Sequence, residues 1–103
     1  VAKFALKAEP TFVAKVAFPV SGGEPVDVRL TFKHRTKTAL DEFLKTREAR
    51  TDVESFLDMV VGWDLEDEFT RPNVELLLEH HIGVALATYR AYVDELVSHR
   101  RGN

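Results

Sequence analysis

Two stretches of alternating hydrophobicity joined by a glycine-rich turn constrain this chain more than any other feature. Along residues 26–33, Val26, Val28, Leu30 and Phe32 alternate with Asp27, Arg29, Thr31 and Lys33. Along residues 11–20, Phe12, Ala14, Val16 and Phe18 alternate with Val13, Lys15 and Ala17. Successive side chains of a strand point to opposite faces, so each run has one face for a core and one for water. Ser21-Gly22-Gly23-Glu24-Pro25 lies between them, and such residues tolerate the backbone angles of a tight turn. The runs predict an antiparallel β-hairpin over residues 11–34. Phe4, Leu6 and Ala8 also alternate and allow a short edge strand, which Pro10 would stop.

A two-stranded ribbon is marginal in water and needs a cover for its apolar face. The rest of the chain supplies one at helical spacing. Thr38 is placed to cap a helix carrying Leu40, Phe43 and Leu44. Thr51 with Glu54 three residues on has the capping-box pattern, ahead of Val53, Phe56, Leu57 and Val60; Gly62 stands where that helix would end. Thr70, with Pro72 in the first turn, opens a third helix that turns Val74, Leu77 and Leu78 inward. After a break at His80-His81-Ile82-Gly83, a longer helix carries Leu86, Tyr89, Val93, Leu96 and Val97. It closes on Arg100-Arg101, cations that suit the negative end of a helix dipole. The expected fold class is α+β: an N-terminal antiparallel β-hairpin (11–34) and about four α-helices (38–101), in a single domain of residues 1–103.

Composition narrows the function classes. Seventeen acidic against fourteen basic residues give a net charge of −3, without the basic excess of a general nucleic-acid binder, so no nucleic acid is expected as partner. There is no cysteine for a disulfide framework or a thiolate zinc site. No apolar run approaches the ~18 residues of a membrane span, and Val1-Ala2-Lys3-Phe4 has no signal-peptide pattern. A soluble, cytoplasmic protein without membrane contact is expected.

The segment from Gly62 through Trp63, Asp64, Leu65, Glu66, Asp67 and Glu68 to Phe69 sets the only tryptophan and a phenylalanine around four carboxylates. The aromatics favour burial, whereas the like charges need water or a cationic partner. Either the segment is a solvated acidic connector whose Trp63 and Phe69 dock on the helices, or it is a contact surface for a basic or amphipathic partner. A calcium loop does not fit, because Phe69 stands where the sharp turn needs glycine and Pro72 falls on a ligand position. The run Lys33-His34-Arg35-Thr36-Lys37 has three cations that suit phosphate, the acidic loop of a neighbouring copy, or plain solvation that guards a strand edge. In the last helix Tyr89 and Tyr92 stand three apart among small residues, a stripe that is more often core than interface; Tyr89 and Val93 are expected to face the core, which leaves Tyr92 as the better interface candidate. Adjacent His80 and His81 point about 100° apart on a helix and do not chelate one ion together. Ser21, Ser55 and Ser98 lack any nucleophile motif. No enzyme, metal or cofactor is expected.

Four pieces, taken in order, resemble one family. They are Pro10-Thr11-Phe12 with the Gly22-Gly23 turn; Thr31-Phe32-Lys33-His34-Arg35-Thr36; Gly62-Trp63-Asp64 with its acidic continuation to Phe69; and Ala91-Tyr92 in a helix closing on Arg100-Arg101-Gly102-Asn103. Together they cover nearly the whole chain and are similar to the tail assembly chaperones of long-tailed (siphovirus-type) bacteriophages and related prophages. The chain departs from that pattern at Gly83, where the family has a proline near the start of the last helix. The resemblance implies a non-enzymatic protein of the bacterial host cytoplasm, absent from the mature virion. Such a protein coats the tape measure protein, keeps it soluble while the tail tube polymerises around it, and self-associates. It also implies that this chain is the short form of a protein made in a frameshifted longer form as well. On that expectation the partner-binding residues are Trp63, Asp64, Glu66, Asp67, Glu68, Phe69 and Tyr92. Lys33, Arg35 and Lys37 would meet the acidic loop of the next copy. The competing expectations are a small nucleic-acid-binding or regulatory module and a minor phage tail structural protein.

Overall fold

The computed structural model describes residues 1–97, so the basic close of the last helix at Arg100 and Arg101 lies outside the described residues. The alternating runs form β1 (Thr11–Phe18) and β2 (Val26–Lys33), paired antiparallel from Thr11 opposite Lys33 to Phe18 opposite Val26. In the turn the Gly23 N–H donates to the Val20 carbonyl at 3.0 Å, and Gly22 has φ of +74°, which glycine adopts without a Cβ clash. The register gathers Ala14, Val16, Phe18, Val28, Leu30 and Phe32 on one buried face. On the opposite face Lys15 and Asp27 pair diagonally at 3.8 Å. The expected hairpin is present.

The structure differs from the sequence reading at Gly62. That glycine does not end a helix; it lies within a third strand, β3 (Val60–Trp63), antiparallel to β2. The strand order is β1-β2-β3, so β2 is central. Four residues are too few to display a period, and Val60 is a buried position on either reading, which hides the switch from helix to strand. The anticipated edge strand at Phe4 to Ala8 does not form. Residues 1–10 belong to no element, with Phe4 89% and Leu6 101% exposed.

Four helices follow the hairpin as expected, with shifted details. Helix α1 (Lys37–Lys45) is capped by Thr36, whose hydroxyl accepts the Ala39 N–H at 3.1 Å, rather than by Thr38. Both threonines have the chemistry of a cap, but the half-buried Arg35 is held by Asp58 and Tyr92, and Thr36 directly after it takes the cap position. Leu40 and Phe43 are buried, while Leu44 faces out. A 3-10 turn over Arg47–Ala49 leads to α2 (Asp52–Met59). Its capping box is complete: Thr51 accepts the Glu54 N–H at 3.1 Å, and Glu54 accepts the Thr51 N–H at 2.9 Å. Helix α3 (Arg71–His80) has the Thr70 cap and Pro72 in its first turn, and α4 (Val84–Val97) follows the break at His81 to Gly83. The buried stripe of α4 is Val84, Thr88 and Tyr92; Tyr89 and Val93, expected to face the core, are half-buried, and Leu86 and Val97 are exposed. The sheet's buried face, α2 and α4 enclose the core, with Phe32, Phe56, Leu30 and Val74 fully buried. Each such side chain is worth roughly 1.5–3 kcal/mol of burial. Among the described residues no helix is long and apolar enough to cross a membrane.

Candidate partner-binding surface

Two of the residues expected at the surface are turned into the fold. Tyr92 is wholly buried, so it is unavailable as an interface residue. Its ring lies 5.2 Å from Phe32, 6.3 Å from Phe12 and, edge-on, 5.9 Å from Phe43. Its hydroxyl donates to the Lys33 carbonyl at 2.8 Å and accepts from Arg35 at 3.0 Å. Arg35 also donates to the Asp58 carbonyl at 2.8 Å and stacks 4.1 Å above the Phe43 ring. A guanidinium held by two oxygens and an aromatic face is committed where it is. Of the three cations expected to serve self-association, Arg35 is therefore half-buried with its guanidinium engaged, Lys33 is half-buried and Lys37 is exposed. Burial raises the Tyr92 phenol above its ordinary value near 10, and the hydrogen bond and charge of Arg35 offset part of that rise.

The acidic segment is a structured loop between β3 and α3. Asp64 accepts the Arg29 N–H at 2.9 Å and returns its own N–H to the Arg29 carbonyl at 3.1 Å, which closes the sheet edge. The Trp63 indole donates to the Asp67 carbonyl at 2.7 Å, and Asn73 donates to the Glu68 carbonyl at 2.7 Å. Phe69 packs edge-on against Trp63 at 5.0 Å, and both rest half-buried on the core. Glu66, Asp67 and Glu68 are exposed, and no ion pair engages them among the described residues.

Between this loop and α3 runs a groove of about 330 Å³. Its apolar lining comes from Trp63, Leu65, Leu76 and Leu77, and its polar lining from Asp67, Asn73, His80 and His81. Leu76 is 59% exposed although it sits in a leucine triplet. The groove thus joins an aromatic wall, open aliphatic surface and the unpaired carboxylate of Asp67 in one place.

The family model for phage tail assembly chaperones matches residues 1–103. The chain belongs to the phage tail assembly chaperone family. No curated protein and no solved structure matches it. The chaperone is accordingly not an enzyme. Its family-like residues Phe32, Arg35 and Tyr92 meet in the buried hub, and Gly62, Trp63 and Asp64 build the third strand and its closure. Of the expected partner-binding residues, Trp63, Asp64, Glu66, Asp67, Glu68 and Phe69 share one loop, while Tyr92 lies apart in the core. Leu65, Leu76 and Leu77 were missed as a groove lining. Their signal was present in the chaperone's sequence: three consecutive leucines at 76–78, turning about 100° each, cannot all face one core.

Proposed function

We propose that the chaperone holds the tape measure protein soluble during tail assembly by docking apolar side chains of that client in the groove between the acidic loop and α3. The observation that carries this reading is the open wall of Trp63, Leu65, Leu76 and Leu77 beside the unpaired Glu66, Asp67 and Glu68. Holding an aggregation-prone helix requires exposed apolar surface, and exposed apolar surface stays soluble when like charge surrounds it. Trp63, backed by Phe69, forms the aromatic part of the wall, Asp64 ties the loop to the sheet, and the three free carboxylates attract basic residues flanking the client's apolar stripe. Copies arrayed along an elongated client would act in the host cytoplasm and leave before the virion is complete.

Co-expression with a tape measure protein tests this. Wild-type chaperone is expected to keep the client in the soluble fraction and to co-purify with it. Leu76→Glu, placed on an exposed position, is expected to reduce the co-purified client at least about tenfold, the effect of roughly 1.4 kcal/mol, while its melting temperature stays that of the wild type. Undiminished capture by Leu76→Glu would remove the groove from the client-binding role.

A further inference from the structure

The groove has a complement within the chain itself. Ahead of β1, Lys3, Phe4, Ala5, Leu6, Lys7 and Ala8 are all exposed and make no ion pair among the described residues. Laid out as an extended strand, this segment puts Phe4, Leu6 and Ala8 on one side and Lys3, Ala5 and Lys7 on the other. Phe4 and Leu6 are the kind of side chain that a folded monomer conceals, yet they are 89% and 101% exposed. The groove offers the reverse combination, an apolar hollow with Asp67 in its lining and the exposed Glu66 and Glu68 on either side of Asp67 in the chain.

We infer that the segment Lys3–Ala8 of one copy docks in the groove of a second copy, with Phe4 and Leu6 against Trp63 and Leu76 and with Lys3 and Lys7 against the acidic loop. A volume of about 330 Å³ lies at the low end of the ~300–1,000 Å³ usual for binding pockets, which suits one or two side chains of an extended segment. The root of the segment adds to the match. The His34 N–H donates to the Pro10 carbonyl at 2.9 Å and Thr11 pairs with Lys33, so the half-buried Lys33 stands at the foot of the segment. The Lys33–Lys37 junction alone brings charge without an exposed apolar group, whereas the leading segment brings both. Two copies that exchange segments close a dimer; copies that each pass the segment to the next form an open array. The inference rests on the groove being a docking site, as in the function proposed above, and it makes the segment a competitor of the client for that site.

Complementation between full-length variants tests it by sedimentation. The double variant Phe4→Ser/Leu6→Ser keeps its groove and loses its segment; Leu76→Glu keeps its segment and loses its groove. Each alone is expected to stay monomeric at concentrations where the wild type assembles, and an equimolar mixture is expected to form a one-to-one complex. Trp63, the only tryptophan, reports occupancy of the groove by fluorescence. A peptide of residues 1–10 is expected to shift its emission in Phe4→Ser/Leu6→Ser and not in Leu76→Glu. The inference is overturned if either variant assembles like the wild type, or if the mixture stays monomeric. It is overturned too if Trp63 emission differs between wild type and Phe4→Ser/Leu6→Ser at high dilution, which would mean that the segment folds back on its own copy. Client capture by Leu76→Glu separates the two readings, because Phe4→Ser/Leu6→Ser keeps its groove and is expected to hold the tape measure protein whether or not the segment docks there. Loss of capture in Leu76→Glu with wild-type assembly would leave the groove to the client alone.

Discussion

Arg35 and Tyr92 show how residues that look like surface chemistry become structure. The guanidinium bridges the Asp58 carbonyl and the Tyr92 hydroxyl, and that hydroxyl in turn reaches the Lys33 carbonyl, so α4, α2 and the end of β2 meet at one buried phenol. Tyr92→Phe keeps the ring contacts but leaves the Lys33 carbonyl without its donor and removes one acceptor of Arg35. The expected loss is about 1–3 kcal/mol, read as a lower midpoint in urea denaturation. The same residue sets a pH dependence. Because burial holds the phenol above its ordinary value near 10, the folded and unfolded chains carry the proton alike below about pH 10. Above that value the unfolded chain releases it first, so stability falls as pH rises toward the folded-state value. Melting of the wild type from pH 9 to 11 is expected to show this alkaline loss, and Tyr92→Phe is expected to show less of it over the same range. Equal slopes for the two proteins would remove Tyr92 from the titration. Sequence reading favours a core stripe for tyrosines among alanines but does not decide which of Tyr89 and Tyr92 faces inward. Only the arrival of Arg35 from 57 positions away distinguishes them.

At the scale of elements, the hairpin and the capped helices were legible because their signals are local. Alternation fixes β1 and β2, Thr51 with Glu54 fixes the start of α2, and Thr70 with Pro72 fixes that of α3. What stayed hidden depends on packing between distant parts: the short β3, the face of α4, and the groove, which exists only where β3, the acidic loop and α3 converge. The two glycines near these junctions differ in kind. At Gly83 a Cβ would lie 2.7 Å from Cγ of Pro19, a contact that backbone or ring must yield to, so the close passage of the hairpin end over the start of α4 requires glycine. At Gly62 the nearest atom to a new Cβ would be Cβ of Thr31 at 3.8 Å, an ordinary contact. Gly83→Ala is therefore expected to cost about 1–3 kcal/mol through overpacking, while Gly62→Ala is expected to be neutral or stabilising by up to about 0.5–1 kcal/mol in thermal melts. The reverse order would mean that Pro19 moves freely and that β3 is under constraint from its other side.

Across the whole molecule, two sets of like charges stand out. Glu66, Asp67 and Glu68 follow one another in the exposed loop, whereas Lys3 and Lys7 lie on the exposed leading segment, with Lys33 at the end of β2 and Lys37 at the start of α1. None of these side chains has an ion-pair partner within the described residues, so their charges are available to other molecules and contribute little to the fold. The fourth carboxylate, Asp64, is different because it closes the sheet on Arg29. A charge swap separates these roles. Reversal of the loop with Glu66→Lys, Asp67→Lys and Glu68→Lys is expected to leave the melting temperature nearly unchanged and to abolish self-association. Adding Lys3→Glu and Lys7→Glu to that protein restores the opposite-sign match and is expected to recover assembly at low salt. Recovery should fade as ionic strength rises toward 1 M, where charges are screened over about 3 Å, without vanishing, because Phe4 and Leu6 still carry the apolar part of the contact. If the swapped protein stays monomeric at low salt while remaining folded, the pairing of segment with loop is wrong. The free carboxylates would then be left to the client alone.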